Sequence, residues 1–253
     1  MYAEERQQTI LEVVRRIGRV DVAGLASRFD ITTETVRRDL TLLERRGLLR
    51  RVHGGAIPVT TGSAEADLPA RHPVTLTERR RIARAAMEYV PETGAILLDA
   101  GGTMGELADL IPVDRELTVV TNAIDVALTL TGKGNITVML VGGRIKSRPF
   151  AAVDSWALRL LSEIHIHVAF LAAGGISLER GLTTTDPSEA MVKRAAISAA
   201  RHTVVLADHT KIGHTRFAQF GNLADIDTLI TDDRADSHVT RDIERAGPRV
   251  LAV

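Results

Sequence analysis

The sequence predicts an α/β protein in two parts: a small basic domain of three helices closed by a β-hairpin, and a larger body on a parallel sheet. Three observations predict it. Apolar residues recur at helical spacing through the first 45 residues, then give way to a strand-like alternation and a glycine pair. From residue 94 onward, short apolar runs alternate with helical patterns, the order that builds parallel sheets with crossover helices. The charge is also divided. The 253 residues carry a formal net charge of zero, but residues 1–57 hold +3 and the remainder −3.

Composition narrows the class. Hydrophobic residues make up 45% and charged residues 25%, ordinary for a soluble globular chain. Cysteine is absent, which excludes disulfides, thiolate nucleophiles and cysteine metal sites. Glu4, Glu5, Arg6 and Glu12 break up the first residues, so they do not read as a signal peptide. No apolar run reaches membrane-spanning length, and a cytoplasmic location is expected.

In the first part, Ile10, Leu11, Val14 and Ile17 mark an amphipathic helix over 5–16, ended by Gly18. Val22, Leu25, Ala26 and Phe29 mark a second. Asp30-Ile31-Thr32 is a tight turn, with Thr32 placed to cap a third helix. There Val36, Leu40 and Leu43 share one face, and Glu34, Arg38, Thr41 and Arg45 point away from it. Gly47 ends that helix. Leu48 to Val52 alternates like a strand, and His53-Gly54-Gly55-Ala56 turns back. This order describes a winged helix-turn-helix. An exposed face with Arg38 and Thr41 suits the major groove of duplex DNA, where arginine donates two hydrogen bonds to guanine. Arg50, Arg51 and His53, on or beside the wing, suit phosphates or the minor groove. The alternative for each arginine taken singly is a solvated charged face.

Pro58 to Ala64 is polar and turn-prone, and Pro69 and Pro73 prolong the irregular stretch, so 58–75 reads as a linker between domains 1–57 and 76–253. A helix from Thr75 to Tyr89 opens the body, with Arg79, Arg80, Arg81 and Arg84 as a solvated face, a partner surface or a pocket rim. Strands follow at Ala95–Leu98, Leu117–Val120, Ile136–Val141, Val168–Ala172, Thr203–Leu206 and Asp227–Ile230, with helices near 104–111, 123–131, 153–163 and 188–200. Ligands of such sheets gather at the carboxyl ends of the strands. Those ends carry Asp99-Ala100-Gly101-Gly102-Thr103, Thr121-Asn122, Gly142-Gly143-Arg144, Gly174-Gly175 and Asp208-His209-Thr210-Lys211. Glycines admit a ligand to backbone N–H groups, Thr103 adds a hydroxyl at a helix start, and Arg144 and Lys211 add positive charge. Together they suit a phosphorylated sugar or polyol. The alternative is that the glycines only make turns. No dinucleotide fingerprint follows a strand, and no cofactor is expected. His165 and His167 share a strand face without an evident third ligand, so no metal site is expected either.

The residues also carry a resemblance. TTETVRRDLTLLERRGLLRRVHGGA closely resembles the signature of the DeoR/GlpR family of bacterial transcription regulators, with ETVRRDL, LLERRGLL and RVHGG in register. It implies that Thr33 to Arg46 is the recognition helix, with Thr33 at its start and Thr35, Arg37 and Arg38 as groove or backbone contacts. Asp39 is expected to orient an arginine or another donor. Further on, LLDAGGT, VVTN, MLVGG, SEAMVKRA, LADHTKIG and LITDD are similar to family motifs, so the resemblance covers nearly the whole chain. It implies a Rossmann-like sensor body related in fold to phosphosugar isomerases. It also implies Gly101 and Thr103 for phosphate, and Asn122, Gly143, Glu189 and Lys211 for the rest of the pocket. Asp99, Gly102, Thr121 and Arg144 complete the expected set. Lys193 is a weaker member that can instead pair with Glu189 one turn away on the same helix. Three positions depart from the pattern: Gly102 replaces a usual threonine, Asp154 a usual glycine and Arg79 a usual lysine. Asp154 either lines the pocket or begins a helix.

A phosphosugar isomerase would need a positioned general base. Asp99, Glu189, Asp208 and His209 are available, but none sits in a motif specific for catalysis. The basic segment favours a regulator: a homo-oligomer, dimer or tetramer, that binds double-stranded operator DNA and responds to a phosphorylated sugar or polyol. The alternatives are a phosphosugar isomerase or deaminase with a nucleic-acid-binding appendage, and an architectural DNA-binding protein with an inert body.

Overall fold

The computed structural model of the chain describes residues 6–7, 9–11, 13–14, 18–45, 48–52, 54–58, 76–146 and 149–253. The chain divides into two compact units, Met1–Ser63 and Ala64–Val253. The expected contributions of Ile17, Arg46, Gly47 and His53 lie outside the described residues, as does the expected linker 58–75 apart from Pro58, which instead ends a strand.

In the first unit the described residues between 6 and 14 are helical, and Ile10 and Val14 are fully buried. Strand β1 (Val20–Asp21) leads into helix α1 (Val22–Phe29). Asp21 caps α1 by accepting the Gly24 N–H at 2.7 Å, and Asp30 ends it in the left-handed conformation at φ 51°. Thr32 accepts the Thr35 N–H at 3.2 Å and so caps helix α2 (Thr33–Arg45), as expected from its position. Strands β2 (Leu49–Val52) and β3 (Gly55–Pro58) form the wing, and β1 adds to β3 as a third strand that alternation alone did not reveal. A side chain at Gly55 would meet the Val20 carbonyl oxygen at 1.9 Å, so glycine is what lets β1 pair there. Val36, Leu40, Leu43, Leu25, Ala26, Leu49 and Ala56 close the core on the first helix.

Asp39 turns inward from α2. It accepts from Arg6 Nε at 2.6 Å and Gln7 Nε2 at 2.9 Å, so the carboxylate orients an arginine, as expected, and anchors α2 to the first helix. The two charged side chains are 11% and 7% exposed, so the pair is effectively buried.

The second unit opens with helix α3 (Leu76–Ala86) and continues with β4 (Thr93–Leu98), α4 (Gly102–Leu110), β5 (Glu116–Thr121), α5 (Ile124–Thr131) and β6 (Ile136–Leu140). A short hairpin of β7 (Arg144–Ile145) and β8 (Ala152–Val153) precedes α6 (Ser155–Ser162) and β9 (Ile166–Ala172). Strands β10 (Gly175–Ser177) and β11 (Gly181–Thr184) lead to α7 (Pro187–Ala199) and β12 (Ala200–Leu206). Then come β13 (Ala218–Gly221), β14 (Thr228–Thr231), α8 (Ser237–Arg245) and β15 (Arg249–Ala252).

Seven strands form one parallel sheet in the order β15-β14-β12-β9-β4-β5-β6. Residues alternate between its faces. Ile96, Leu98, Val119 and Phe170 pack with α3, α4 and α5, while Leu97, Val120, Leu171 and Val205 pack with α6 and α7. All six expected strands are present. The seventh, β15, and helix α8 before it were not anticipated, although Asp236 caps α8 and Ile243 buries its inner face. The order reverses between β4 and β9, because the chain runs outward through β5 and β6 before returning. Crevices at such reversals are where open α/β sheets bind ligands.

Asp39→Ala would leave the Arg6 guanidinium buried without its counter-charge. Urea unfolding of the full chain, read on amides of the first unit, is expected to show a loss of about 3 kcal/mol. A change below about 1 kcal/mol, typical of a surface pair, would contradict the anchoring role.

Candidate functional site

Two faces bring the expected residues together. On the first unit, α2 turns Thr33, Glu34, Arg37, Arg38 and Leu42 outward, and Arg38 is 82% exposed. Glu34 lies 3.7 Å from Arg37 and 3.8 Å from Arg38. Pairs this long, exposed and without a hydrogen bond are weak and yield readily to a phosphate. Thr35 is partly buried, and its hydroxyl meets that of Thr32 at 2.9 Å. Thr41 is more engaged than its exposed position suggested. Its hydroxyl donates to the Arg37 carbonyl at 2.8 Å and accepts from Arg51 Nη1 at 2.8 Å. Glu44 also accepts the Arg51 N–H at 2.8 Å, so wing and helix are joined beside the basic face. Arg37, Arg38, Thr41, Leu42, Arg51 and Glu34 line a shallow groove of about 460 Å³. Arg50 lies on β2, and its side chain falls outside the described residues, as His53 does.

On the second unit, the strand-end loops meet at the carboxyl edge of the sheet. Asp99 follows β4, is 3% exposed, and forms a buried ion pair with Lys193 of α7. Asp99 also accepts the Ala172 N–H at 3.0 Å, and Lys193 donates to the Ala172 carbonyl at 2.8 Å. Sequence spacing suggested that Lys193 pairs with Glu189 on its own helix. It pairs instead with a carboxylate 94 residues away, because its side chain is turned into the sheet edge rather than along the helix surface. Glu189 accepts from Lys146 Nζ at 2.7 Å and from the Thr184 hydroxyl at 2.8 Å. Lys146 also lies 3.1 Å from Asp186, the cap of α7. Burial works against the Lys146 charge, but the hydrogen bonds and charges of Glu189 and Asp186 outweigh it and hold the ammonium above its ordinary range. Burial likewise works against Asp186, but backbone N–H groups of α7 and Lys146 hold its carboxyl below the usual range.

Arg144 is paired with Asp154 at 2.7 and 3.4 Å. The Asp154 hydrogen bond holds the guanidinium above its ordinary value, and the Arg144 hydrogen bond holds the carboxyl below its own. Lys211 is engaged within the chain. Thr121 is fully buried and accepts the Ala123 N–H at 3.1 Å, while Asn122 donates to the Ala152 carbonyl at 3.3 Å. His209 bonds through Nδ1 to the buried Asp232 at 2.9 Å, and Asp208 accepts the Thr210 N–H and hydroxyl. The rings of His165 and His167 lie 6.4 Å apart, and His167 Nδ1 accepts the Ala95 N–H at 3.0 Å. Among the described residues no group of three or more histidine or carboxylate side chains is arranged to hold a metal ion.

The glycines divide by purpose. A side chain at Gly143 would meet the Val153 carbonyl oxygen at 2.3 Å, and one at Gly175 the His214 carbonyl oxygen at 2.5 Å. Both are needed for backbone packing whatever else they do. Gly101, with φ 147°, begins α4 without any side-chain cap, and the first N–H groups of a helix have no partner within it. Thr103 sits buried in that first turn. At Gly102 a β-carbon would lie 2.6 Å from Arg79 Nη1. The guanidinium of Arg79, a partly buried residue, therefore rests on the loop, in the space beside the Gly102 backbone. Arg79 forms no ion pair or hydrogen bond among the described residues, in contrast to Arg144, Lys146, Lys193 and Lys211. In the sequence Arg79 stood out as one of a run of four and as a replacement for a usual lysine; its contact with Gly102 was not visible.

Asp99→Ala would strand the Lys193 ammonium in the sheet edge. Equilibrium unfolding is expected to show a loss of about 3–5 kcal/mol, with much of it regained in Asp99→Leu/Lys193→Met. A fully stable Asp99→Ala would show that the pair does not hold the edge together.

Comparison with known proteins identifies both halves of the chain. The DeoR-like helix-turn-helix domain matches residues 6–61, and the DeoR C terminal sensor domain matches residues 75–233. The chain is 35% identical over 251 residues to the HTH-type transcriptional regulator GlpR of Haloferax volcanii, covering 99% of this chain and 98% of that protein. It is 33% identical to the uncharacterized HTH-type transcriptional regulator YulB of Bacillus subtilis, over 100% of this chain and 98% of that one. It is 30% identical to the glycerol-3-phosphate regulon repressor of Escherichia coli, over 92% of each. Among solved structures, ribose 5-phosphate isomerase A from Neisseria gonorrhoeae is 19% identical over 59% of this chain and 58% of that one, with a TM-score of 0.40. Both halves of the sequence and its full-length relatives agree: the chain belongs to the DeoR family of helix-turn-helix transcriptional regulators.

Proposed function

We propose that the chain represses genes of carbohydrate or polyol metabolism and is controlled by a phosphorylated sugar or polyol bound at the carboxyl edge of its sheet. One observation carries the reading. Arg79 rests, without a counter-charge among the described residues, on the uncapped start of α4 at the sheet's switch point. A phosphate monoester there would accept from the Gly102 and Thr103 N–H groups and from the guanidinium, a donor set suited to a dianion. Relatives named for the glycerol-3-phosphate regulon and as the repressor GlcR support a metabolic effector of this kind.

The charge pairing favours a sensor over a catalyst. Asp99 is committed to Lys193, Glu189 to Lys146 and Thr184, and Asp208 to Thr210. A general base must reach a substrate proton, and these carboxylates already accept from the protein. His209, oriented by Asp232, is the group on which an isomerase reading would have to rest.

For DNA, Arg38 and Arg37 supply base and phosphate contacts in the major groove, Thr33 and Thr35 meet the backbone at the helix start, and Arg50, Arg51 and His53 serve the wing. Thr41 acts by holding Arg51. The active form is a cytoplasmic homo-oligomer whose paired helices read half-sites one helical turn apart, and the effector works by favouring an arrangement that loses that spacing.

Operator binding of the full chain, titrated with sugar and polyol monophosphates, tests both faces. Arg38→Ala is expected to weaken specific binding by about 10- to 100-fold. Arg79→Met should leave operator affinity intact and weaken the effector response by about 10- to 100-fold. An unchanged response in Arg79→Met, or turnover of a monophosphate at an enzymatic rate, would contradict the proposal.

A further inference from the structure

Asp154 stands at the N-terminal boundary of α6 with φ 82° and ψ −168°, a conformation populated essentially by glycine alone. A helix start is where an aspartate normally earns its place by capping, yet this side chain makes no cap hydrogen bond. Its carboxylate turns away to the Arg144 guanidinium at 2.7 and 3.4 Å, and Ser188 in the first turn of α7 also bonds to it. A strained backbone is thus occupied by a residue whose carboxylate serves Arg144 and Ser188 and not the helix it begins.

The neighbourhood extends this pattern. Among the described residues, Asp154, Asp186 and Glu189 face Arg144 and Lys146, three carboxylates against two cations. Glu189 lies one turn before Lys193 on α7, so this acidic cluster begins about 6 Å along the helix from the Lys193–Asp99 pair beside the Gly101–Thr103 loop. The edge is therefore polarised. Among the described residues, the Arg79 end offers a guanidinium without a partner beside the uncapped start of α4, and the hairpin end offers three carboxylates whose partner Arg144 is already paired.

We propose that Asp154 is a specificity-determining residue: it fills the Arg144 subsite with an internal anion, so that the effector carries one phosphate, at the Arg79 end, and presents only neutral hydroxyls or a cation to the hairpin end. A second phosphate or a carboxylate there would meet Asp154, Asp186 and Glu189 and is rejected by charge repulsion. Hydroxyl groups can donate to the same carboxylates. This inference rests on the proposed effector site, and it concerns the chemistry of the end remote from the phosphate.

The test uses the full chain and two substitutions. Asp154→Gly removes the charge and the strain, and Asp154→Asn removes the charge alone. Binding of glycerol 3-phosphate, fructose 1-phosphate, fructose 6-phosphate and fructose 1,6-bisphosphate is measured by calorimetry and by fluorescence of Trp156, the sole tryptophan, two residues from the substitution. The wild type is expected to prefer its best monophosphate over the bisphosphate by about tenfold or more, the equivalent of one opposed charge pair at short range. Both variants should lose that preference or invert it. Asp154→Gly, but not Asp154→Asn, should also raise the melting temperature by about 2 °C or more. A monophosphate preference that survives in both variants overturns the role of Asp154 while leaving the effector site standing. Binding of none of the probes by any form, or binding that Arg79→Met does not weaken, overturns the site and this assignment with it.

Discussion

The buried pair between Asp99 and Lys193 is the constraint on which the carboxyl edge of the sheet depends. It joins the end of β4 to the middle of α7 across the switch point, and both partners add a hydrogen bond to the Ala172 backbone of β9. Two charges this deep are tolerated only because each satisfies the other and the adjoining peptide completes the set. The pair fixes the rotation and depth of α7. With α7 fixed, Glu189 lands one turn earlier against Lys146, Asp186 caps the helix beside it, and the β7–β8 hairpin is held in turn. The edge is a chain of commitments that begins at one carboxylate.

Those commitments give the edge its chemistry. Among the described residues, Arg144, Lys146 and Lys193 are already paired, which leaves Arg79 against the α4 start with electrostatic demand. A β-carbon at Gly102 would crowd Arg79 Nη1, so the bare glycine lets the guanidinium lie directly on the loop. The first unit applies the same economy. Asp39 is withdrawn into the core by Arg6 and Gln7, so the basic face of α2 keeps Arg37 and Arg38 with only the weakly held Glu34 between them.

Much of this was legible in the residues. The 3.6-residue spacing of Val36, Leu40 and Leu43, the Thr32 cap and the Asp30 turn are local properties, and local chemistry decides them. The six apolar runs were recognisable as strands because a parallel sheet buries both faces. The short pieces were not. Strands β7, β8, β10 and β11 have two to four residues each and owe their pairing to tertiary contacts. Within the site, the loops could be named in advance but their partners could not. Lys193 had a carboxylate four residues away and chose one just past the end of a distant strand, and Arg144 was claimed by Asp154 across a hairpin. Gly143 and Gly175 show the same limit from the other side, since a glycine spared for a ligand and one required by a neighbouring carbonyl look alike in sequence.

The central claim is that this edge receives an anion at one end only. Crystals of the full chain soaked in tungstate, a heavy tetrahedral analogue of phosphate, test it directly through anomalous scattering. The account predicts a single strong peak at this edge, between the Arg79 guanidinium and the first N–H groups of α4, with the Arg144–Asp154 and Lys193–Asp99 pairs intact. A peak at Arg144 or Lys193 with either carboxylate displaced, and none at Arg79, would contradict it.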